Sequence, residues 1–187
     1  EHAQNNVARI LAWKEQGIPV IACCTSCSLM LKQEYAELFA EESMKEAGTN
    51  VYDAFEYLEL MQDNGELDQD FRPVKQRLMY HVPCHLKAQG IGTPAADILR
   101  EIPGVQLELA DAGCCGMSGN YGFKKDKYEI SMKIGEALFQ RIREYQADKV
   151  VCDEVQTFSG FLWVLFGDGR PFFNETKLGE RGQIRRQ

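Results

Sequence analysis

Two adjacent cysteines followed by glycine, Cys114-Cys115-Gly116, constrain this chain more than any other feature. Neighbouring cysteines bond each other poorly, but they can direct two thiolates at one centre. With Cys84 upstream and Cys152 downstream, both at what read as strand ends, the pattern points to metal or cluster binding rather than crosslinking. It therefore asks for a fold that brings distant strand ends to one edge.

The rest of the cysteine usage agrees. The seven cysteines, an odd number, bunch as Cys23-Cys24 with Cys27, then Cys84, Cys114-Cys115 and Cys152, which is unlike a disulfide framework and fits a reducing, intracellular setting. Glu1 to Asn6 lacks the basic and apolar regions of a signal peptide, and the longest apolar run, Phe161 to Phe166, is far short of the roughly 20 residues a membrane span needs. The expected location is the cytoplasm, with any attachment at the inner face of the membrane made through partners. A formal net charge of −7 with scattered Lys and Arg weighs against the dense positive surface that phosphate binding needs, so no nucleic acid is expected; Arg181 and Arg185-Arg186 read as a solvated tail. At 44% hydrophobic and 26% charged residues, the chain is composed like a soluble globular protein.

Apolar spacing and turn residues predict strands alternating with helices. Val7, Ile10, Leu11 and Trp13 give a first helix its apolar side, Gly17 ends it, and Ile18 to Ala22 reads as a buried strand running into Cys23-Cys24-Thr25-Ser26-Cys27. A helix follows through Leu29 to Phe39, and another is predicted from Val51 to Met61. Asp63-Asn64-Gly65 and Asp68-Gln69-Asp70 mark a polar linker with a boundary near Pro73. Beyond it come a strand over Leu78 to Val82, a helix over Ala95 to Glu101, a strand over Val105 to Ala110, a helix over Tyr128 to Tyr145 and a strand over Lys149 to Cys152. On the long helix, Ile130, Ile134, Leu138, Phe139 and Ile142 are expected to face the core. The order β-α-β-α-β predicts an α/β fold: a layered, mostly parallel sheet with flanking helices and ligands at the carboxyl ends of strands, where Cys23, Cys84, Cys114 and Cys152 all fall. Helix starts beside the cysteines are expected to lower their thiol pKa values, and Gly113 and Gly116 to let the backbone turn sharply around the pair.

Taken singly, these signals are open. Cys24 to Cys27 fits a redox dithiol, a metal corner or chance, and a lone Cys84 fits a small buried hydrophobe. Pro83-Cys84-His85 together with Cys114-Cys115-Gly116 favours metal or cluster ligation over free thiols. His81 and His85 stand four apart, but Pro83 between them blocks a two-histidine helical metal face. His85 fits either a proton donor near Cys84 or a structural histidine, and Lys124 and Lys125 either stabilise an anionic group or form a solvated helix start.

Tyr80-His81-Val82-Pro83-Cys84-His85, then Cys114-Cys115-Gly116 leading into Gly119-Asn120-Tyr121-Gly122-Phe123-Lys124-Lys125, resembles the cysteine-rich CCG domain family of iron-sulfur oxidoreductase subunits. Gly17-Ile18-Pro19-Val20-Ile21 and Ile102-Pro103-Gly104 fit it as well. Within the family the likeness is strongest to the branch serving anaerobic glycerol-3-phosphate oxidation, alongside heterodisulfide reductase and glycolate-oxidation subunits. The resemblance implies two copies of a Cys...Cys-Cys-Gly...Cys-x-x-Cys pattern. On that mapping Cys24 and Cys27 close the first copy, whose beginning is truncated; Cys84 opens the second, Cys114-Cys115 is its central pair, and Cys152 begins its closing element. The implied cofactor is an iron-sulfur cluster of 4Fe-4S type held by Cys24, Cys27, Cys84, Cys114, Cys115 and Cys152, with zinc as the alternative. The implied partners are a flavin-containing dehydrogenase subunit and a membrane-quinone-linked subunit. The implied organisation is 1–72 for the end of the first copy plus linker, 73–152 for the second copy, and 153–187 for a divergent or frameshifted tail, because Cys152-Asp153-Glu154-Val155 lacks the second closing cysteine. Two further functions stay open: a zinc-bound or metal-free docking module, and thiol-disulfide redox chemistry.

Overall fold

The computed structural model describes residues 1–118, 121, 122 and 124–154. The tail from 155 onward, and with it the basic end and the question of its reading frame, lies outside the described residues, as do Gly119, Asn120 and Phe123.

The first unit begins with helix α1 (His2–Glu15), which buries Ala3, Val7 and Ile10. Strand β1 (Val20–Ala22) follows and pairs in parallel with β2 (Val51–Asp53), Ile21 opposite Tyr52. Between them run α2 (Thr25–Leu29), a π-helical turn (Met30–Glu34), α3 (Tyr35–Phe39) and α4 (Glu42–Gly48). Val7, Ile10, Met44, Ala47 and Val51 form this unit's core. Helix α5 (Ala54–Asp63) starts at Asp53, whose carboxylate accepts from the Phe55 amide at 3.1 Å while Glu56 reaches back to the Asp53 amide at 2.9 Å. This reciprocal cap satisfies amides that the first helical turn leaves without partners.

The second unit is a three-stranded parallel sheet in the order β4-β3-β5, from β3 (Gln76–Tyr80), β4 (Val105–Leu109) and β5 (Lys149–Val151). Helices α6 (Cys84–Gln89) and α7 (Pro94–Glu101) connect β3 to β4, and α8 (Tyr128–Tyr145) connects β4 to β5. The two crossovers run in opposite directions across the sheet, so right-handed connections put α7 and α8 on opposite faces. Burial records this: Met79 packs with Leu138, Phe139 and Ile142, whereas its neighbour Tyr80 packs with Ala95 and Ala96. Leu78, Met79 and Tyr80 are consequently all buried, as expected of a strand covered on both sides. Phe55 of α5 packs into the Tyr80 cluster, which joins the two units.

The α/β architecture and parallel sheets match the sequence expectation, and several local readings do not. Val51 to Asp53 is a strand rather than the start of a helix; the β-branched Val51 and aromatic Tyr52 favour extended backbone, and Asp53 is the cap that starts the helix. Trp13 is exposed, and the strand expected over Ile18 to Ala22 begins at Val20 with Ile18 and Ile21 exposed, because the two-stranded sheet is packed on one face only. On α8 the buried stripe is Ser131, Gly135, Leu138, Phe139 and Ile142, leaving Ile130 and Ile134 exposed. That stripe follows helical spacing, but its first two positions are small residues that admit close backbone approach rather than aliphatics.

Candidate metal centre

Each cysteine-bearing loop leaves the carboxyl end of a parallel strand. Cys23-Cys24 follows β1, Cys84 follows β3 by way of His81-Val82-Pro83, Cys114-Cys115 follows β4, and Cys152 follows β5 directly. No disulfide joins any of the seven cysteines; Cys23, Cys27, Cys84 and Cys114 are exposed, while Cys24, Cys115 and Cys152 are half-buried. Exposure removes the reading of Cys84 as a buried small hydrophobe.

In the first unit the thiols are positioned by polar contacts. Cys24 is the residue before α2 and Cys27 lies one turn into it, near enough for Cys24 to act electrostatically on the Cys27 thiol. The Cys24 Sγ lies 3.1 Å from Ser26 Oγ and donates to Glu154 Oε1 at 3.2 Å. Glu154 Oε2 accepts from the Thr25 hydroxyl at 2.8 Å and the Ser26 amide at 3.2 Å, and lies 3.3 Å from His85 Nδ1. Burial alone pushes the Glu154 carboxyl up, but these donors outweigh it and hold the group below its ordinary range. Beside this cluster Gln89 of α6 donates to Thr25 O at 3.1 Å and Ser28 Oγ at 2.8 Å, and Ser28 donates to Asp53 at 3.1 Å.

The second unit uses backbone geometry instead. Gly113 and Gly116 both have positive φ, and a Cβ on Gly116 would stand 2.1 Å from Ser131 O. Ser131 Oγ donates to Gly116 O at 2.8 Å, and the Gly116 amide donates to Cys114 Sγ at 3.3 Å. A Cβ on Gly135 would lie 2.7 Å from Cys115 O and closer still to the Phe139 ring, so α8 presses directly on the cysteine loop. Cys115 packs against the Leu138 cluster. Lys124 and Lys125 are exposed at the turn leading into α8, in keeping with a solvated start.

Thiol acidity departs from the sequence expectation. The Cys27 thiol is pushed up, first by burial and then by Cys24 and Glu154, rather than lowered. Helix α2 continues without a break through the π turn into α3, so its amino end is not short of aligned peptides; at Cys27 burial and the neighbouring Cys24 and Glu154 outweigh whatever the helix start contributes. Near Cys152, the Tyr80 hydroxyl donates to the Asp153 carboxylate. Burial, with a smaller contribution from Asp53, raises the Asp153 carboxyl to about 6 against the opposing hydrogen bond from Tyr80. His81 is lowered to about 4 by burial and secondarily by Lys87.

The structure thus places Cys24 and Cys27 on one helix start and ties their loop, through Glu154, to the strand end that carries Cys152, with His85 beside the same carboxylate. Among the described residues, no three His, Cys, Asp or Glu side chains gather in an arrangement for a single metal ion. A zinc ion would need donors closing to about 2.0–2.3 Å of one point. The donors themselves are thiols from separate loops, the type that holds iron-sulfur clusters, in which cysteines bind different irons. Glu154, Thr25, Ser28 and Gln89 carry no motif in the sequence that marks them; the Asp53...Glu56 capping pattern was the one legible signal nearby.

A chain with this sheet and these strand-end thiols carries a domain of a recognisable class: residues 78–155 match the family described as CCG, cysteine-rich domain, and the chain has such a domain over its second unit. The match reaches 155, beyond the point near Asp153 where the sequence reading ends the likeness. The chain is 38% identical over 138 residues to an anaerobic glycerol-3-phosphate dehydrogenase subunit of Escherichia coli, covering 74% of this chain and 34% of that protein. It is 34% identical over 135 residues to a subunit of the fumarate reductase (CoM/CoB) of Methanothermobacter marburgensis, covering 71% of this chain and 25% of that protein. An uncharacterised iron-sulfur protein of Methanocaldococcus jannaschii is 29% identical over 133 residues, covering 71% of this chain and 24% of that protein. The aligned part of the chain spans about a third or less of these relatives.

Proposed function

We propose that this chain is part of an iron-sulfur electron-transfer subunit of a flavin-linked dehydrogenase, passing electrons from glycerol-3-phosphate oxidation toward membrane quinone. The observation that carries the reading is that the loops bearing Cys24, Cys27, Cys84, Cys114, Cys115 and Cys152 all leave the carboxyl ends of parallel strands, where such sheets bind ligands. The relatives named above support it. These six cysteines are the proposed pool from which a cluster of 4Fe-4S type, which takes four thiolates, would draw its ligands; when bound it would supply one-electron storage. The chain's own residues orient the thiols through Glu154, Ser26 and the Gly116 turn. Residues 1–72 are proposed as the end of one cysteine-rich repeat with its linker, 73–152 as the second repeat and 153–187 as a divergent tail. The proposed partners are a flavin-containing subunit and a quinone-linked subunit, and the proposed location is the cytoplasm, at the inner face of the membrane through those partners. No helix among the described residues is long and apolar enough to cross a membrane.

Anaerobic purification with iron, acid-labile sulfide and zinc measured per chain, alongside the visible spectrum, tests this. Brown protein bleached by dithionite, with the colour lost in Cys114→Ser and Cys115→Ser, is the expected result. Full cluster content in both variants overturns the ligand set, and colourless protein with stoichiometric zinc overturns the cofactor. A second reading, thiol-disulfide chemistry, is favoured by the placement of Cys24 just before α2 and Cys27 in its first turn; a titratable disulfide in metal-free protein selects it.

A further inference from the structure

Glu154 occupies a place where a carboxylate is costly. It is 3% exposed, two residues past Cys152 at the end of β5. A buried charge persists only when other groups hydrogen-bond it, and Glu154 draws most of its donors from the opposite unit. Three belong to the first cysteine loop: the Cys24 thiol at 3.2 Å, the Thr25 hydroxyl at 2.8 Å and the Ser26 amide at 3.2 Å. His85 Nδ1, next to Cys84, lies 3.3 Å from the same carboxylate without hydrogen-bond geometry. One side chain from the closing strand of the second unit therefore touches the Cys24 side chain directly and the neighbour of Cys84.

We propose that Glu154 is a positioning residue that locks the Cys24 thiol in place, so that the cysteine loop of the first unit is set by a side chain of the second. The inference rests on the iron-sulfur reading for its functional meaning and on these contacts for its geometry. Docking of the two units does not depend on Glu154 alone. Gln89 ties α6 to Thr25 O and Ser28 Oγ, and Phe55 packs into the Tyr80 cluster, so the interface keeps anchors when the carboxylate is removed. What Glu154 adds is control of a sulfur. Its two oxygens divide the work: Oε1 takes the thiol, while Oε2 is fixed by Thr25 and Ser26.

The test is residue-resolved alkylation of the full metal-free chain by iodoacetamide, read by mass spectrometry, in the native protein and in Glu154→Gln and Glu154→Ala. Loss of a charge-assisted hydrogen bond is expected to raise the Cys24 rate about tenfold in Glu154→Ala, less in Glu154→Gln, with Cys23 and Cys114 unchanged. An unchanged Cys24 rate in both variants overturns the lock, and so does an equal rise at all seven cysteines in both, which marks general loosening. Ligation would take the Cys24 proton and leave Glu154 acting on the sulfur by its charge alone; on the reconstituted protein the electron paramagnetic resonance spectrum of the reduced cluster should then shift in Glu154→Gln at equal iron content, and an unaltered spectrum counts against the lock. If the native protein takes up no iron while Cys24 alone gains reactivity in the variants, the lock stands and the iron-sulfur reading falls. Iron-loaded protein with neither change does the reverse.

Discussion

The Cys23–Cys27 loop is held by hydrogen bonds reaching in from the other unit, whereas the Cys114–Gly116 loop is held by glycine geometry and the close approach of α8. The two solutions respond differently to change. A polar tie tolerates small shifts and fails when a donor or acceptor is deleted, because the buried partner is left unsatisfied. A steric tie tolerates loss of individual hydrogen bonds and fails when a methyl group is added where no space exists. Both fix thiols at strand ends, so the repeated cysteine pattern does not require a repeated means of support.

The largest expected effect falls on the steric side. Gly116→Ala puts a side chain at positive φ and against Ser131 O, and should cost about 4 kcal/mol by urea denaturation, combining left-handed strain with overpacking. A loss below about 1 kcal/mol would break the comparison, since the loop would then be free to yield. Leu138→Ala empties the cluster on which Cys115 packs and should cost about 3 kcal/mol, with Cys115 gaining reactivity relative to Cys27.

Acid sensitivity gives the next effect. His81, lowered from 6.5 to about 4, contributes stability that is complete above pH 6.5 and lost as the pH falls toward 4. Asp153, raised from 3.8 to about 6, runs the other way: its contribution is complete below pH 3.8 and lost as the pH rises through 6. The two slopes oppose each other in the native protein. Asp153→Asn removes one, so the variant should lose about 2 kcal/mol more than the native chain between pH 6.5 and 4, measured as urea midpoints.

On the polar side, Thr25→Val deletes a donor to buried Glu154 and should cost about 1.5 kcal/mol while raising Cys24 alkylation and leaving Cys114 alone. Equal effects at both loops would erase the distinction between them. Arg100→Ala breaks an exposed pair with Asp97 outside both loops and should change stability by less than about 0.5 kcal/mol in the same urea titration.

The second unit was the more legible of the two. Its strands and its long helix follow from apolar runs bounded by turn residues, and α8 begins and ends where its spacing says. The first unit was harder because β2 is three residues long and passes directly into α5, so no turn residue separates strand from helix. Helix α4 carries three buried residues in seven and left no clear period to read. The inward face of α8 was misjudged for a different reason. Hydrophobicity ranks Ile130 and Ile134 above Ser131 and Gly135, but close approach of the cysteine loop selects small residues.

The sequence by itself determined the alternation of strands and helices, the parallel sheet and the delivery of cysteines to strand ends, because these depend on short-range periodicity and on the handedness of the crossovers. Only the tertiary structure decided which polar groups surround the thiols. Glu154 meets Cys24 across a separation of 130 residues, and Gln89 meets Ser28 across 61. No local pattern encodes such meetings; they arise when the two units pack and each buried polar group must find a partner.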